Sequence, residues 1–425
     1  MKRKKHDRLV RKLRGRDKIN VVFVISTVTM WQHQDIYELM RNDPHFNATI
    51  IYVPFCVYSK EESEKVLLQV KDYFSRHRTP FLVYDELDFS EKSFREQFLP
   101  DIIFYPQWYA GNYDANIDIV SFYDRLICIV PYGICITNKL FCDTRENNYA
   151  WKQYQTSQTH LKICRRESRS KGRNVVIVGY PKGDTYREAA VNDPWKNQEK
   201  TKKRIIWAPH FTIEEGITVM HRSNFLNMAE FMWELTKKYE DSIQFAFKPH
   251  PRLLTELYKH RDWGRERTDA YYKMWEEGKN TQLETGEYTD LFKTSDGMIH
   301  DCGSFSAEYL YVGKPAFFVT EDAEKLKLQD DLSEFGCAAM DAHYVGYGET
   351  AICSFLENVI LGHSDPKRAE REKFVKEQLY VPECKTTSQL IYEDICRELW
   401  IPTASHPLSP KEKRLKKIYR LLYKP

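Results

Sequence analysis

The stretch INVVFVISTVTMWQHQDIYELMRNDPHFNATIIYV, residues 19–53, decides the fold. Ile19–Ser26 is a short apolar run rich in β-branched residues, which reads as a strand. Gln32–Arg41 carries a helical pattern, and Ala48–Val53 is apolar again. Both flanking runs are apolar throughout instead of alternating with polar residues, as in parallel strands covered on both faces. The alternation continues. Lys60 to Arg76 reads as a helix, Phe81–Tyr84 as a strand, Glu91–Phe98 as a helix, and Asp101–Tyr105 and Leu126–Val130 as strands. Repeated β-α-β units predict an α/β domain of Rossmann type.

Residues 137–172 are polar and interrupt the pattern, which places the inter-domain region there. Strands then resume at Asn174–Val178, Arg204–Ala208, Ile243–Phe247, Gly297–His300 and Ala316–Val319. Arg222–Tyr239 reads as a helix, with Phe225, Met228, Ala229, Met232 and Leu235 on one face. Two Rossmann-like halves in 425 residues predict a GT-B-like α/β architecture with a cleft between domains. The expected divisions are a basic tail over 1–18, an N-terminal domain with linker over 19–172, a C-terminal domain over 173–400 and a basic tail over 401–425.

Composition narrows the class. Apolar residues make up 42% of the chain and aromatics 14%, enough for substantial cores. No stretch reaches the roughly 20 apolar residues of a spanning helix. The ten cysteines form no C-x-x-C pair, and several lie in strand-like text, the pattern of reduced buried thiols in a cytoplasmic protein. Cys128, Cys135 and Cys142 are evenly spaced but lack histidines at zinc-site spacing, so no metal is expected. The net charge of +3 hides an asymmetry: residues 1–18 hold ten Lys/Arg and two Asp, residues 411–425 hold seven Lys/Arg and one Glu, and the body is left at −11. That balance argues against a nucleic-acid binder. Basic tails on an acidic body instead suggest an anionic membrane surface. Leu415, Ile418 and Leu422 form an apolar stripe beside Tyr419 in the C-terminal tail, which fits an interfacial helix and equally a helix packed on its own domain. The N-terminal tail, poorer in apolar residues, is expected to be disordered.

Three segments of the second half place histidine just beyond a strand: Ala208-Pro209-His210-Phe211, Lys248-Pro249-His250-Pro251 and His300-Asp301-Cys302-Gly303-Ser304. Ligands of open parallel sheets bind beyond the carboxyl ends of the strands, so the three are expected to share a site. Prolines on both sides stiffen the loop that carries His250. Gly303-Ser304 leads into a helical run, whose first N–H groups and the Ser304 hydroxyl suit a phosphate, although serine is also an ordinary helix cap. Glu308 lies about one turn further on, placed either for ribose hydroxyls or for the helix dipole.

Together these segments resemble the CDP-glycerol glycerophosphotransferases, the teichoic-acid polymerase and primase family. Gly179-Tyr180-Pro181-Lys182-Gly183-Asp184 is similar to its G-x-P-[RK]-x-D element, Ala208-Pro209 to its A-P, and Lys248-Pro249-His250-Pro251 to its K-P-H-P. Ser295-Asp296-Gly297-Met298-Ile299-His300-Asp301-Cys302-Gly303-Ser304 resembles its S-D-x-x-I-T-D-Y-S-S. The resemblance covers roughly residues 175–320. It implies a GT-B-like fold, a CDP-polyol donor, attachment to the inner face of the cell membrane, and a role in bacterial surface-polymer or capsule synthesis. It also implies that His250 is catalytic and that Ser304 and Glu308 contact the donor's phosphate and ribose side. The family's W-H-G-T histidine has no counterpart in Val130-Pro131-Tyr132-Gly133-Ile134, His210 stands where many members have threonine, and Cys302-Gly303 replaces Tyr-Ser. The chain therefore reads as a diverged branch.

The resulting expectation is transfer of a polyol phosphate, glycerol phosphate first, from a CDP-polyol to a hydroxyl of a lipid-linked or cell-surface saccharide, with CMP leaving. His250 and His210 are the candidate catalytic residues. Lys248, Asp301, Gly303, Ser304, Glu308 and Tyr132 are the candidate substrate contacts, and no cofactor is required. The N-terminal domain is expected to hold the acceptor, with Trp108, Tyr109 and Tyr113 placed to stack on a saccharide or to fill the core. The rival readings are a GT-B glycosyltransferase using a nucleotide sugar and a non-catalytic, membrane-docked assembly factor.

Overall fold

The computed structural model describes residues 2–137, 141–213, 223–328 and 332–423, and divides the chain into two compact units. The first comprises Met1–Gly133, Lys139–Asp184 and Tyr380–Pro425, and the second Ile134–Asn138 and Thr185–Leu379.

The first unit is built on a seven-stranded sheet. Its strands are β1 (Ile19–Ile25), β2 (Phe46–Tyr52), β3 (Leu82–Val83), β4 (Ile102–Tyr105), β5 (Leu126–Ile129), β6 (Lys152–Gln155) and β7 (Val175–Ile177). They are all parallel, in the order β3-β2-β1-β4-β5-β6-β7. The central strands are buried because helices cover them. Val21, Phe23 and Ile25 of β1 face a core shared with Ile36 and Met40 of the helix Gln34–Arg41 and Phe74 of the helix Lys60–Arg76. Phe23 and Phe104 are register partners on β1 and β4, and their rings stack at 4.5 Å.

The expected domain limits need correction at three places. β6 and β7, together with the helix Gln158–Glu167, complete the first sheet, so the polar text of 137–172 is no linker and the boundary at 172/173 falls inside the unit. The chain also returns to the first unit after Leu379 instead of remaining in the second to residue 400. The reason is apolar: Ile391, Ile395, Cys396 and Leu399 of the helix Thr387–Leu399 pack in the first core. Finally, the N-terminal segment is ordered. Lys2–Arg14 is a helix whose Val10 and Leu13 are buried, Arg14 lies 3.9 Å over the Trp400 ring, and Arg16 pairs with Asp101 at 2.8 Å. Few apolar residues suffice because they fall on one face.

Gly179 has φ +101°, and a Cβ there would stand 2.8 Å from the Tyr380 carbonyl. Glycine thus allows the returning chain to pass close by.

The second unit holds β8 (Lys203–Ala208), β9 (Ile243–Phe247), β10 (Thr281–Leu283), β11 (Gly297–His300), β12 (Ala316–Val319) and β13 (Tyr344–Gly346), in the parallel order β10-β9-β8-β11-β12-β13. The helix Phe225–Lys238 buries Phe225, Met228, Ala229, Met232 and Leu235, as its periodicity requires; Arg222, where it was expected to begin, lies outside the described residues. Trp207 stacks on Phe247 at 4.9 Å and lies 5.4 Å from Trp275, which fixes β8 against β9.

Lys152 on β6 is a sensitive point of the first unit. Its ammonium reaches Asp394 at 3.1 Å and Glu398 at 3.0 Å, and Asp394 also accepts from the Tyr154 hydroxyl. Lys152→Met removes the buried cation and leaves the Asp394 carboxylate with the Tyr154 hydroxyl and the more exposed Arg397 at 3.0 Å. Chemical denaturation of this variant should show a loss of about 3 kcal/mol.

Candidate active site

The strand order of the second sheet reverses between β8 and β11, so a crevice opens beyond their carboxyl ends. The loops carrying His210 and the Asp301–Ser304 turn leave from these two strands, and the loop carrying His250 leaves from β9 next to them. Each predicted segment thus reaches the same edge because strand order brings it there.

Asp301 ties the edge together. It is buried, and its Oδ1 accepts the His210 N–H at 2.6 Å while Oδ2 accepts the Asn224 N–H at 2.6 Å. Ser223 and the Asn224 side chain add longer contacts of 3.4 and 3.3 Å. Burial pushes the Asp301 carboxyl up to about 6, against the opposing pull of these donors. The carboxylate is therefore committed to holding the β8 exit and the start of the helix Phe225–Lys238.

His210 and His250 are brought together, with ring centroids 5.0 Å apart, and Phe211 lies 4.5 Å from His250. The His250 N–H donates to the Pro209 carbonyl at 3.0 Å, which pins the two loops to each other. Its ring Nδ1 accepts the Arg252 N–H at 3.2 Å. That contact leaves Nε2 to carry the proton of the neutral ring. Burial, with His210, Arg252 and Lys248 adding to it, holds the His250 pKa well below the usual imidazole value. His250 is therefore a neutral N–H donor at physiological pH. His210 places its Nδ1 2.9 Å from the Thr212 hydroxyl.

The other candidates divide. The Ser304 hydroxyl caps no helix and lies 3.2 Å from the Cys302 sulfur, in the turn that includes Gly303. The Lys248 ammonium is anchored on the Gly286 carbonyl at 3.0 Å and the Glu284 carbonyl at 3.4 Å, 5.2 Å over the Tyr288 ring. Glu308 is only 1% exposed, and its two carboxylate oxygens accept from the Tyr186 hydroxyl at 2.6 Å and the Tyr288 hydroxyl at 3.2 Å.

One expectation changes. His300 does not join the other histidines: it is fully buried, donates Nδ1–H to the Cys302 carbonyl at 3.1 Å, and packs on Phe318 and His343. It faces inward because the side chains of a buried strand alternate between faces. Tyr132 belongs to the first unit, where its N–H donates to the Pro106 carbonyl and its carbonyl accepts from the Tyr180 hydroxyl at 2.9 Å. Of the proposed stacking residues, Trp108 and Tyr113 are buried, Tyr113 lying against Phe55 and Tyr105, whereas Tyr109 is exposed.

Sequence reading missed Asn224, Phe211, Arg252, Tyr186 and Tyr288. Arg252, which lies 4.2 Å over the Phe211 ring, follows His250 by two positions and was open to discovery. Tyr186 is 122 residues from Glu308, and no local signal connects them.

The titration of Asp301 is measurable. A carboxyl whose pKa rises on folding contributes stability that is present in full below about pH 4 and lost as pH rises through 6. Asp301→Asn abolishes this dependence. Relative to the variant, the wild-type protein should gain about 2 kcal/mol between pH 7 and pH 4, read from denaturation curves.

Residues 137–332 match the model of the family described as CDP-Glycerol:Poly(glycerophosphate) glycerophosphotransferase. No curated protein matches the chain in sequence. Among solved structures, the fold is similar to the wall teichoic acid polymerase TagF, with TM-score 0.56, 12% identity, and 94% of this chain and 93% of that chain covered. It is similar as well to the S. aureus MnaA–UDP co-structure, with TM-score 0.58, 13% identity and coverage of 93% and 99%. UDP-GlcNAc 2-epimerase from Neisseria meningitidis bound to UDP-GlcNAc gives TM-score 0.57, 12% identity and coverage of 89% and 100%. These structural likenesses establish a GT-B-like α/β fold of two Rossmann-like domains, and the family match lies over the residues that build the β8–β11 edge. Residues 137–332, just under half of the chain, are thus similar to the CDP-glycerol glycerophosphotransferase family, and the fold of the chain is similar to that of TagF.

Proposed function

We propose that the chain transfers a polyol phosphate, glycerol phosphate in the simplest case, from a CDP-polyol to a hydroxyl of a lipid-linked or cell-surface saccharide. The acceptor oxygen attacks the polyol-bearing phosphorus, the bridging P–O bond to the cytidine phosphate breaks, and CMP leaves. The observation that carries this reading is the pair of histidines 5.0 Å apart at the strand-order reversal of the second sheet, within the segment that matches the family.

Each residue follows its geometry. His250 directs Nε2–H to a phosphate oxygen, where charge grows as the bridge breaks. As a ring that stays neutral at physiological pH, it acts by hydrogen bonding instead of by its own charge. His210 supplies a second polar contact beside it. Ser304 and the Gly303 turn hold the pyrophosphate, while Asp301 positions these groups from behind. Lys248 supplies positive charge from its anchored position. Glu308 orders the Tyr186 and Tyr288 hydroxyls that line the ribose side. In this reading the protein residues suffice and no cofactor is needed.

The same reading places the enzyme on the inner face of the membrane. Among the described residues, no helix is long and apolar enough to cross a bilayer. The helix Pro410–Leu422 is anchored by Tyr419 stacking on Trp400 at 5.6 Å, yet it leaves Leu421 and Leu422 about 70% exposed among lysines and arginines. Exposed apolar side chains amid cations suit an anionic interface.

With CDP-glycerol or CDP-ribitol as donor and a lipid-linked saccharide as acceptor, CMP release is the direct test. Thermal shift against CDP-glycerol, CDP-ribitol and UDP-GlcNAc identifies the donor, because a ligand that binds the native state raises its melting temperature. Stabilisation by UDP-GlcNAc alone would replace this reading with sugar transfer. His250→Ala should lower kcat about 100-fold or more without changing the melting temperature; full turnover by that variant removes His250 from the mechanism. Leu421→Ser with Leu422→Ser should reduce co-sedimentation with vesicles containing phosphatidylglycerol and leave CMP release from a soluble acceptor unchanged.

A further inference from the structure

A diphosphate brings a negative charge on each phosphate, so the cations of the β8–β11 edge decide where it can rest. Three loops build that edge: residues 209–224 between β8 and the helix Phe225–Lys238, residues 248–252 between β9 and the helix Leu253–Lys259, and residues 301–304 between β11 and the helix Phe305–Glu308. Among their described residues, the charged side chains are Lys248, Arg252 and Asp301. Asp301 is a buried carboxylate spent on backbone N–H groups. Lys248 is 4% exposed, and its ammonium is held by the Glu284 and Gly286 carbonyls. Arg252 is the cation that stays open, with 53% of its side chain exposed.

Its surroundings tie it to the histidine pair. The Arg252 N–H donates to His250 Nδ1 at 3.2 Å, and the guanidinium carbon stands 4.2 Å over the Phe211 ring. Phe211 in turn lies 4.4 Å from the His210 ring and 4.5 Å from the His250 ring. One aromatic side chain thus touches the guanidinium and both histidines. A guanidinium offers five N–H donors in a planar fork. Here its Nη2 meets Glu256 at 3.3 Å, which occupies only part of that capacity. Glu256 also faces the Lys259 ammonium at 3.5 Å, so its carboxylate keeps a cation when Arg252 turns to another anion.

We infer that Arg252 binds the diphosphate of the nucleotide donor, exchanging Glu256 for phosphate oxygens when the donor arrives. Glu256 competes with the donor for the guanidinium. Two-pronged hydrogen bonding to phosphate is available to a guanidinium and not to an ammonium. An open arginine beside a lysine that is tied inward divides the work accordingly: Lys248 adds charge from behind, and Arg252 makes the contact. The CDP-polyol as the source of the diphosphate rests on the transfer reading above, whereas the anion site rests on the placement of Arg252.

Isothermal titration of the full chain with CDP-glycerol and with inorganic pyrophosphate tests this in wild type, Arg252→Gln, Arg252→Lys, Glu256→Gln and the variant carrying both glutamines. Arg252→Gln should weaken both ligands about 30-fold, and Arg252→Lys should recover only part of the loss. The melting temperature without ligand should stay near the wild-type value, since a half-exposed ion pair adds little to stability. Glu256→Gln should tighten both ligands about threefold by releasing the guanidinium, and should have no effect once Arg252 is replaced. Equal affinity of wild type and Arg252→Gln for both ligands overturns the inference, and so does a Glu256→Gln effect that persists without Arg252. Should Arg252→Gln not fold, Glu256→Gln decides alone: affinity unchanged or weaker than wild type overturns the inference. Pyrophosphate binding that depends on Arg252, without binding of CDP-glycerol, removes the transfer reading and leaves this site. Binding of CDP-glycerol that ignores Arg252 does the reverse, and a wild-type protein that binds neither ligand overturns both.

Discussion

Asp301 accepts the N–H groups of His210 and Asn224 at 2.6 Å each, from a position shielded from water. A buried carboxylate is tolerated only where donors surround it, and here these come from the β8 exit and the start of the helix Phe225–Lys238. This single group sets where His210 stands. The His250 N–H bond to the Pro209 carbonyl then extends that constraint to the neighbouring loop. The histidine pair is preorganised by hydrogen bonds that the two backbone N–H groups donate to one carboxylate and one backbone carbonyl, with little dependence on the flexibility of either side chain.

The same edge shows how charge is arranged. His250 is kept neutral by burial and by nearby cations, so it works as a hydrogen-bond donor. Lys248 has its ammonium bound to carbonyls, and Glu308 has its carboxylate covered by two tyrosine hydroxyls. Charged side chains that the motif presents as contacts are, in the folded chain, partly spent on the protein itself. Arg252 stacks on Phe211 beside His250 and pairs with Glu256 at 3.3 Å from a more open position.

The two sheets share a design with different chemistry. Each is parallel and each reverses strand order once, so each has a crevice beyond its strand ends. In the second unit the loops at the reversal carry histidines and the Gly303-Ser304 turn. In the first, residues 26–33 after β1 and 106–113 after β4 contain no Asp, Glu, Lys or Arg.

The α/β class, the positions of most strands and the Lys248–Pro251 and Asp301–Ser304 segments were legible in the residues, because continuous apolar runs and Pro-flanked histidines are local patterns. Burial along the helix Phe225–Lys238 followed for the same reason. What only the tertiary structure decided depends on contacts between distant parts of the chain. Polar text such as Lys152–Gln155 becomes a strand because β5 and β7 flank it. The helix Thr387–Leu399 joins the first unit because that core accepts its apolar face. His300 turns inward while His210 and His250 meet, since strand pleat and strand order set the direction of a side chain and motif spacing does not. Glu308 finds Tyr186 across 122 residues through the same long-range packing. Local periodicity specifies elements, but the partner of a buried polar group is chosen by whichever donor the fold brings within reach.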